Sequence, residues 1–553
     1  MDLAKKLKTI VKGEVKSDVK TLKAYSRDAS LFEITPKAVV FPKTKKDIQA
    51  VVRFVNRHKR EYPSLSITIR SGGTDMTGGA IGESIILDVN KYLTDIKKVV
   101  INKTGGYAVV EPGVFYRDFE KETLAKGLIM PAFPASREIC TVGGMVANNA
   151  GGENTLMYGK VEDYVEELKI ILRDGREYTV GRLTKAQLES KIKKKTLEGE
   201  MYRRLYSLIK RNARIIEQAK PDVSKNSAGY YLWNVYDGEH FNLCKLLVGS
   251  QGTLGIITEI KMRLIKPERY SKMLVVFLQD ISLLGQVIPK ILKEKPDTLE
   301  SYDDHTLGIA VRFLPDLVKS LKGGLVSLAF NFLPEALMVL KGGFRLPKLI
   351  ILAEFGGSTP GEAAAEARRA RKNLAPMGLN VRLIKNQKEV QKYHLIRRES
   401  FNLLRHKVKN KQAAPFIDDI IVRPDVLPKF WPKLHKILDS KKYNLLYTIA
   451  GHVGDGNFHI IPLMDLSSEK IRKMIPEITD AVYKLVLEFK GSITAEHNDG
   501  LIRAPYLRGM FGNKIYALFE EVKKIFDPDG IFNPGKKIGA TKAYVFAHMK
   551  KGK

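Results

Sequence analysis

The chain has 553 residues, well beyond the roughly 250–300 at which a single hydrophobic core stops growing, so two or more domains are expected. Its 44% apolar content suits ordinary globular cores. Two cysteines, Cys140 and Cys244, exclude an iron–sulfur cluster held by four thiolates, and so low a count fits a reducing compartment.

The balance of 93 Lys plus Arg against 61 Asp plus Glu gives a net charge of +32. Such a field favours anionic partners: lipid headgroups, nucleic acid or acidic substrates. The lysines are scattered along the chain, with only short clusters such as 191–195 and 550–553. The expectation is therefore a solvated basic surface, and nucleic-acid binding is disfavoured. Residues 1–23 alternate Lys with Leu, Val and Ile without a continuous apolar core, so no cleaved secretion signal is expected and a cytoplasmic location is read. No transmembrane helix is expected either. The nearest stretch, Gly323 to Leu340, is broken by Asn331, Pro334 and Glu335. It reads as a buried or lid-forming segment, with peripheral contact on the inner face of a membrane as the sharper alternative.

In chain order, Val39–Phe41 is the first strand-like run. A second, Leu65–Ile69, leads through Arg70-Ser71-Gly72-Gly73-Thr74-Asp75-Met76-Thr77-Gly78-Gly79 into a third, Ile85–Val89. A strand–glycine turn–strand of this kind exposes successive backbone N–H groups that can cradle a pyrophosphate. No helix follows it directly, which disfavours a nicotinamide-binding Rossmann unit. Beyond Ala108–Val110, small residues crowd Pro134-Ala135-Ser136, Cys140-Thr141-Val142-Gly143-Gly144 and Asn148-Asn149-Ala150-Gly151-Gly152, a composition suited to a backbone that approaches a ligand closely. After the strand run Leu168–Leu172 comes another glycine turn, Gly249-Ser250-Gln251-Gly252-Thr253-Leu254-Gly255-Ile256-Ile257. Strand-like Met273–Leu278 and Leu349–Phe355 precede a helix expected over Thr359–Ala375, which Thr359 caps.

Tyr447–Ala450 then leads into His452-Val453-Gly454-Asp455-Gly456-Asn457-Phe458-His459. Asp-Gly between apolar runs predicts a two-residue hairpin loop, with Gly454 opposite Asn457, Val453 opposite Phe458 and His452 opposite His459. Cross-strand Cβ atoms sit roughly 4.5–5.5 Å apart, so the two imidazoles could share a divalent metal. Ser492-Ile493-Thr494-Ala495-Glu496-His497 is the expected source of a third ligand, Glu496. Two histidines and one carboxylate leave coordination positions open to substrate.

These motifs, in this order and with Asp527-Pro528 and Phe532-Asn533-Pro534-Gly535-Lys536 at the end, resemble the FAD-dependent 2-hydroxy acid dehydrogenases, the family of D-lactate dehydrogenase, the glycolate oxidase FAD subunit and D-2-hydroxyglutarate dehydrogenase. The resemblance runs from about Tyr25 to Lys536. It implies an α+β fold: a two-subdomain FAD-binding domain of the vanillyl-alcohol-oxidase type plus an α/β, ferredoxin-like substrate cap. It places Ser136, Thr141, Gly143, Gly144 and Asn148 along the flavin. The resemblance also implies Arg70 to Asp75, Thr77, Gly151, Gly255, Ile256, Asn533 and Lys536 as further FAD contacts. Gln251 stands where the family commonly has glutamate. No residue matches the histidine that attaches flavin covalently, so noncovalent FAD is expected.

Oxidising a 2-hydroxy acid moves the Cα hydrogen as hydride to flavin while a base takes the hydroxyl proton, and a metal that lowers the hydroxyl pKa helps. His452, His459 and Glu496 would hold that metal, zinc first, with manganese or iron as alternatives. His497 is the candidate base. For Glu496 and His497 both to reach the substrate the chain must bend, which Asn498-Asp499-Gly500 allows. Arg397 matches the family's carboxylate-binding arginine, with Arg398 as the alternative register. His394 takes the place of the family's usual tryptophan. Ile461, on the face of His459, stands where relatives acting on lactate or 2-hydroxyglutarate often have asparagine. Pro415-Phe416-Ile417-Asp418-Asp419 lacks the lysine that hydroxyglutarate-type relatives place there. Both departures disfavour a dicarboxylate.

The expected organisation is an FAD-binding domain over residues 1–265, a cap carrying the hairpin over 266–490, a return to the FAD domain over 491–540, and a basic tail over 541–553. The expected substrate is a D-2-hydroxy acid, D-lactate or glycolate-like. Its electrons would pass to a separate acceptor such as a quinone, an electron-transfer flavoprotein or an iron–sulfur subunit. The alternatives are a transferase of the alkyl-dihydroxyacetone-phosphate synthase type and a catalytically silent flavoprotein docked on a membrane or redox partner.

Overall fold

The computed structural model describes residues 2–268, 270–312, 346–407 and 411–552. The stretch Gly323–Leu340 and the side chain of Arg398 lie outside the described residues.

Three sheets succeed one another along the chain. The first has the order β1 (Glu14–Lys16), β2 (Ala38–Phe41), β4 (Ile85–Asp88), β3 (Ile67–Arg70), with β2, β4 and β3 parallel. The sequences Ala-Val-Val-Phe and Ile-Ile-Leu-Asp are buried along their whole length, as parallel strands covered on both faces must be. The second sheet is antiparallel, in the order β5 (Ile96–Asn102), β6 (Gly105–Val110), β10 (Ile256–Leu264), β7 (Val165–Ile171), β8 (Glu177–Thr184), β9 (His240–Asn242). Along β10 buried and partly exposed residues alternate, the mark of one face against the core.

The third sheet is also antiparallel: β14 (Asn380–Leu383), β11 (Tyr270–Leu278), β13 (Leu349–Gly357), β12 (Thr298–Asp303), β17 (Leu446–His452), β18 (Asn457–Met464), β15 (Gln412–Ala413), with β16 (Ile420–Ile421) also pairing with β18. Helices pack on it, including Pro360–Leu374, whose N-cap Thr359 accepts the Glu362 N–H at 3.2 Å. The helix Gln387–Lys407 packs against the helix Asp304–Arg312 and carries Arg397. Among the described residues no helix is long and apolar enough to cross a membrane.

The end of the chain folds back on its beginning. Ile531 accepts from the Ile67 N–H at 2.8 Å, and the Asn533 N–H donates to Ile67 at 2.8 Å, extending the first sheet. Before that, Ser492 bridges to Ile421 beside the hairpin. The segment 492–503 thus crosses from the third sheet toward the first two.

Candidate active site

The hairpin register differs from the one expected. His452 opposes Asn457, Gly451 opposes Phe458 and His459 opposes Ala450, so the loop has four residues, Val453 to Gly456. Tertiary contacts account for this. The Gly454 N–H donates to Leu299 of β12 at 3.1 Å, Val453 is fully buried, and the Asp455 carboxylate lies 3.2 Å from the buried ammonium of Lys225. These contacts hold two residues off the ladder that local turn chemistry would have paired. The period of two still keeps His452 and His459 on one face, now as diagonal neighbours with ring centroids 5.2 Å apart.

Glu496 and His497 arrive through a tight bend. One oxygen of Asp419 accepts the N–H groups of Ala495, Glu496 and His497 at 2.9, 2.9 and 2.7 Å, and the Thr494 hydroxyl at 2.6 Å. Three successive donors on one anion curl the backbone, so adjacent side chains need not point to opposite faces. Asn498, at φ +70°, completes the bend.

Each imidazole has its Nδ1 tied to a buried carboxylate: His452 to Glu300 at 2.5 Å, His459 to Asp418 at 3.1 Å and His497 to the other oxygen of Asp418 at 2.6 Å. That arrangement fixes the tautomer and leaves each Nε2 for the cavity. The Nε2 of His452 lies 3.4 Å from Glu496, whose other oxygen contacts Lys225. The donor set of two imidazoles and a carboxylate suits a divalent cation. A second grouping, one ligand atom each from Asp419, His459, Glu496 and His497, falls within 4.8 Å. In it Asp419 already spends one oxygen on four donors and the other on Asn457 at 3.1 Å, which favours His452 as the partner of His459 and Glu496.

The electrostatics follow from these carboxylates. Burial opposes a charge on His497, yet Asp418 and Asp419 outweigh it and hold its pKa up to about 9. His452 is likewise raised to about 9, burial being overcome by Glu300 and Glu496. Burial also opposes ionisation of Glu496, but His452 and Lys225 hold it well below the usual carboxylate range.

Arg397 joins this network from its helix. It is paired with Glu300, the same carboxylate that holds His452, and lies 3.9 Å from Glu153. Its Nε is buried and has no hydrogen-bond partner among the described residues. His394 instead pairs with Glu354 at 2.7 Å.

Two cavities meet here. The larger of the two, about 290 Å3, is walled by the turn after β3, including Ser71, Gly73, Thr74 and Asp75. Ser136, Gly143, Gly144, Asn148 and Gly255 complete its wall. The second is lined by Gly151, Arg397, His452, His459, Ile461 and Glu496, among others. His497 lines both. Other residues expected at the cofactor stand behind the wall. Arg70 lies over the Tyr25 ring, the Thr77 hydroxyl bonds Asp75, and Thr141 caps the helix Val142–Asn148. Gly72 packs against the Ile139 carbonyl, and Ile256 is core. Asn533 bridges Thr68, Gly79 and Gln251, and Lys536 donates to Ile81 at 2.8 Å.

The larger cavity fits a flavin nucleotide. A Cβ on Gly143 would come within 2.5–2.7 Å of Pro112, and one on Gly144 within 2.5 Å of the Ser71 hydroxyl, so the wall is drawn in to backbone thickness. The buried Oδ1 of Asn148 has no partner among the described residues. Its Nδ2 donates to Glu496 at 3.0 Å, linking the two cavities.

Sequence reasoning did not single out Glu300 or Lys225, and noted Asp418 and Asp419 only for a missing lysine. Two adjacent acids inside the apolar run Phe416–Val422 were the available signal. Lys225 offered none.

A fold of this kind, α+β with a backbone-walled cavity, is of the vanillyl-alcohol-oxidase type. The solved p-cresol methylhydroxylase shares it with a TM-score of 0.68 at 16% identity, over 97% of this chain and 96% of that one. Residues 36–181 match the family of FAD binding domains and residues 267–537 that of FAD linked oxidases, C-terminal domain. The chain belongs to the FAD-linked oxidase family. It is 26% identical to the D-2-hydroxyglutarate dehydrogenase of Pseudomonas putida over 95% of its own length but 50% of that protein's. It is also 26% identical to the D-lactate dehydrogenase of Archaeoglobus fulgidus, covering 93% of this chain and 95% of that one. The chain thus spans about half the length of the first of these relatives and nearly the whole of the second.

Proposed function

We propose that this protein oxidises a D-2-hydroxy acid, D-lactate or glycolate-like, to the 2-oxo acid with noncovalent FAD and a divalent metal, zinc first. The observation that carries this is the position of His497, whose imidazole lines both the cavity that fits flavin and the cavity walled by His452, His459, Glu496 and Arg397. When bound, FAD supplies a two-electron acceptor and the metal a Lewis acid for the hydroxyl oxygen.

His452, His459 and Glu496 hold the metal. Arg397 takes the substrate carboxylate, its buried Nε–H being a donor still to be satisfied. With its pKa raised to about 9, His497 must first lose its Nε2 proton, which alkaline pH favours, and then receives the hydroxyl proton there while Asp418 holds Nδ1. Ile461 gives the cavity an apolar wall on the His459 side, which suits a short side chain better than a second carboxylate. The 1–265, 266–490 and 491–540 divisions serve this reading as FAD domain, cap and return segment, with the electrons leaving for a separate acceptor.

The test is anaerobic bleaching of the flavin band by a panel of D- and L-2-hydroxy acids, before and after chelation. Bleaching by a D-acid that chelation abolishes supports the whole reading. A bound flavin that no hydroxy acid reduces overturns it.

A further inference from the structure

We infer that Asp418 is a positioning residue that binds the metal-ligand candidate His459 and the base candidate His497 into one unit; this rests on the function proposed above. Its two oxygens are divided between them, 3.1 Å to His459 Nδ1 and 2.6 Å to His497 Nδ1. The side chain is fully buried, and the Asp418 carbonyl accepts from the buried guanidinium of Arg503, which also donates to Ile493 and Asn498 at 3.0 and 2.9 Å. Asp418 is thereby clamped to the segment that carries Glu496 and His497.

The backbone confirms how specialised this point is. In an extended chain Asp418 and Asp419 would face opposite ways. Asp419 instead sits at φ +69°, a conformation costly for a non-glycine residue and found where surrounding contacts enforce it. The turn lets both carboxylates serve the same segment: Asp419 holds three of its N–H groups, and Asp418 holds the imidazole beside them.

A carboxylate can accept from two Nδ1–H groups at once, whereas a carboxamide offers one acceptor and one donor. In Asp418→Asn, one histidine must turn its lone pair to Nδ1 and carry its proton on Nε2. At His459 that proton blocks the metal; at His497 it blocks the base. Either way the unit fails, although every ligand and the base are still present.

The experiment compares wild type, D418N and D419N as FAD-containing, chelator-stripped proteins. Cobalt(II) uptake is read from its d–d absorption, and flavin reduction by a D-hydroxy acid is followed anaerobically. Expected for D418N is cobalt affinity weaker by about 10–100-fold or a limiting reduction rate lower by about 100-fold or more, with FAD content unchanged. The half-saturating acid concentration, set by Arg397, should move little. Wild-type cobalt binding and rate in D418N would overturn the inference, as would cobalt loss confined to D419N, which would make Asp419 a ligand. If D418N does not fold, D418S is read by the same assays, and failure of both to fold with FAD assigns Asp418 to the fold alone. A wild type that neither takes up cobalt nor bleaches removes the proposed function itself, a result distinct from a wild-type response that D418N shares.

Discussion

The imidazoles of His459 and His497 stack with centroids 4.9 Å apart and planes 20° from parallel. One comes from a hairpin strand and the other from the segment returning to the flavin cavity. On the proposed reading, metal ligation and proton removal would fall to neighbouring stacked rings, across a boundary between elements where ligand sites commonly form.

Replacing His452 by Ala should separate metal from flavin. His452 lines the second cavity but not the larger one. Metal per chain, measured by emission spectrometry, is expected to fall from about one to near zero, and hydroxy-acid bleaching by about 100-fold or more. The 450 nm absorbance per protein should hold steady.

Arg397→Met should act on substrate binding. A charge-assisted hydrogen bond is worth about 1.5–3 kcal/mol, so the half-saturating acid concentration is expected to rise about 10–100-fold in steady-state kinetics. Arg397→Lys should recover only part of this, because an ammonium lacks the planar fork that pairs Glu300 on one side and a carboxylate on the other.

Gly143→Ala should expel FAD. The added methyl meets Pro112 at 2.5–2.7 Å, partly against backbone, so the helix Val142–Asn148 must move into the cavity wall. The expected result is purified protein with little yellow colour and an FAD affinity at least about tenfold weaker by fluorescence titration. Gly509→Ala, where the methyl would meet open space, should keep its flavin.

Lys536 predicts a pH effect on stability. Burial outweighs the attraction of Asp28 and pushes its pKa from 10.5 down to about 8. Between those values the unfolded chain binds more protons than the fold, so the lysine's contribution to stability rises with pH from 8 to 10.5 and its cost is felt in full below 8. Thermal melts of the flavin-free protein at pH 7, 8, 9 and 10 should show a smaller upward drift for Lys536→Met than for wild type.

Much of this was legible in the chain itself. Period-two alternation put His452 and His459 on one face, and that survived even though the loop between them proved two residues longer than Asp-Gly chemistry predicts. Strand runs such as Val39–Phe41 and Leu349–Phe355 were readable because buried strands need unbroken apolar residues. The glycine turns were readable because only small residues let a backbone stand that close to a ligand.

The tertiary structure decided what local rules cannot reach. The hairpin register was set by the Leu299 carbonyl and Lys225, the orientation of the histidines by Glu300 and Asp418, and the bend at Glu496 by Asp419. All are polar groups far along the chain from the residues they hold. Sequence periodicity reports which face a side chain takes, whereas a buried charge finds its partner only when folding removes water and leaves it nothing else to bind.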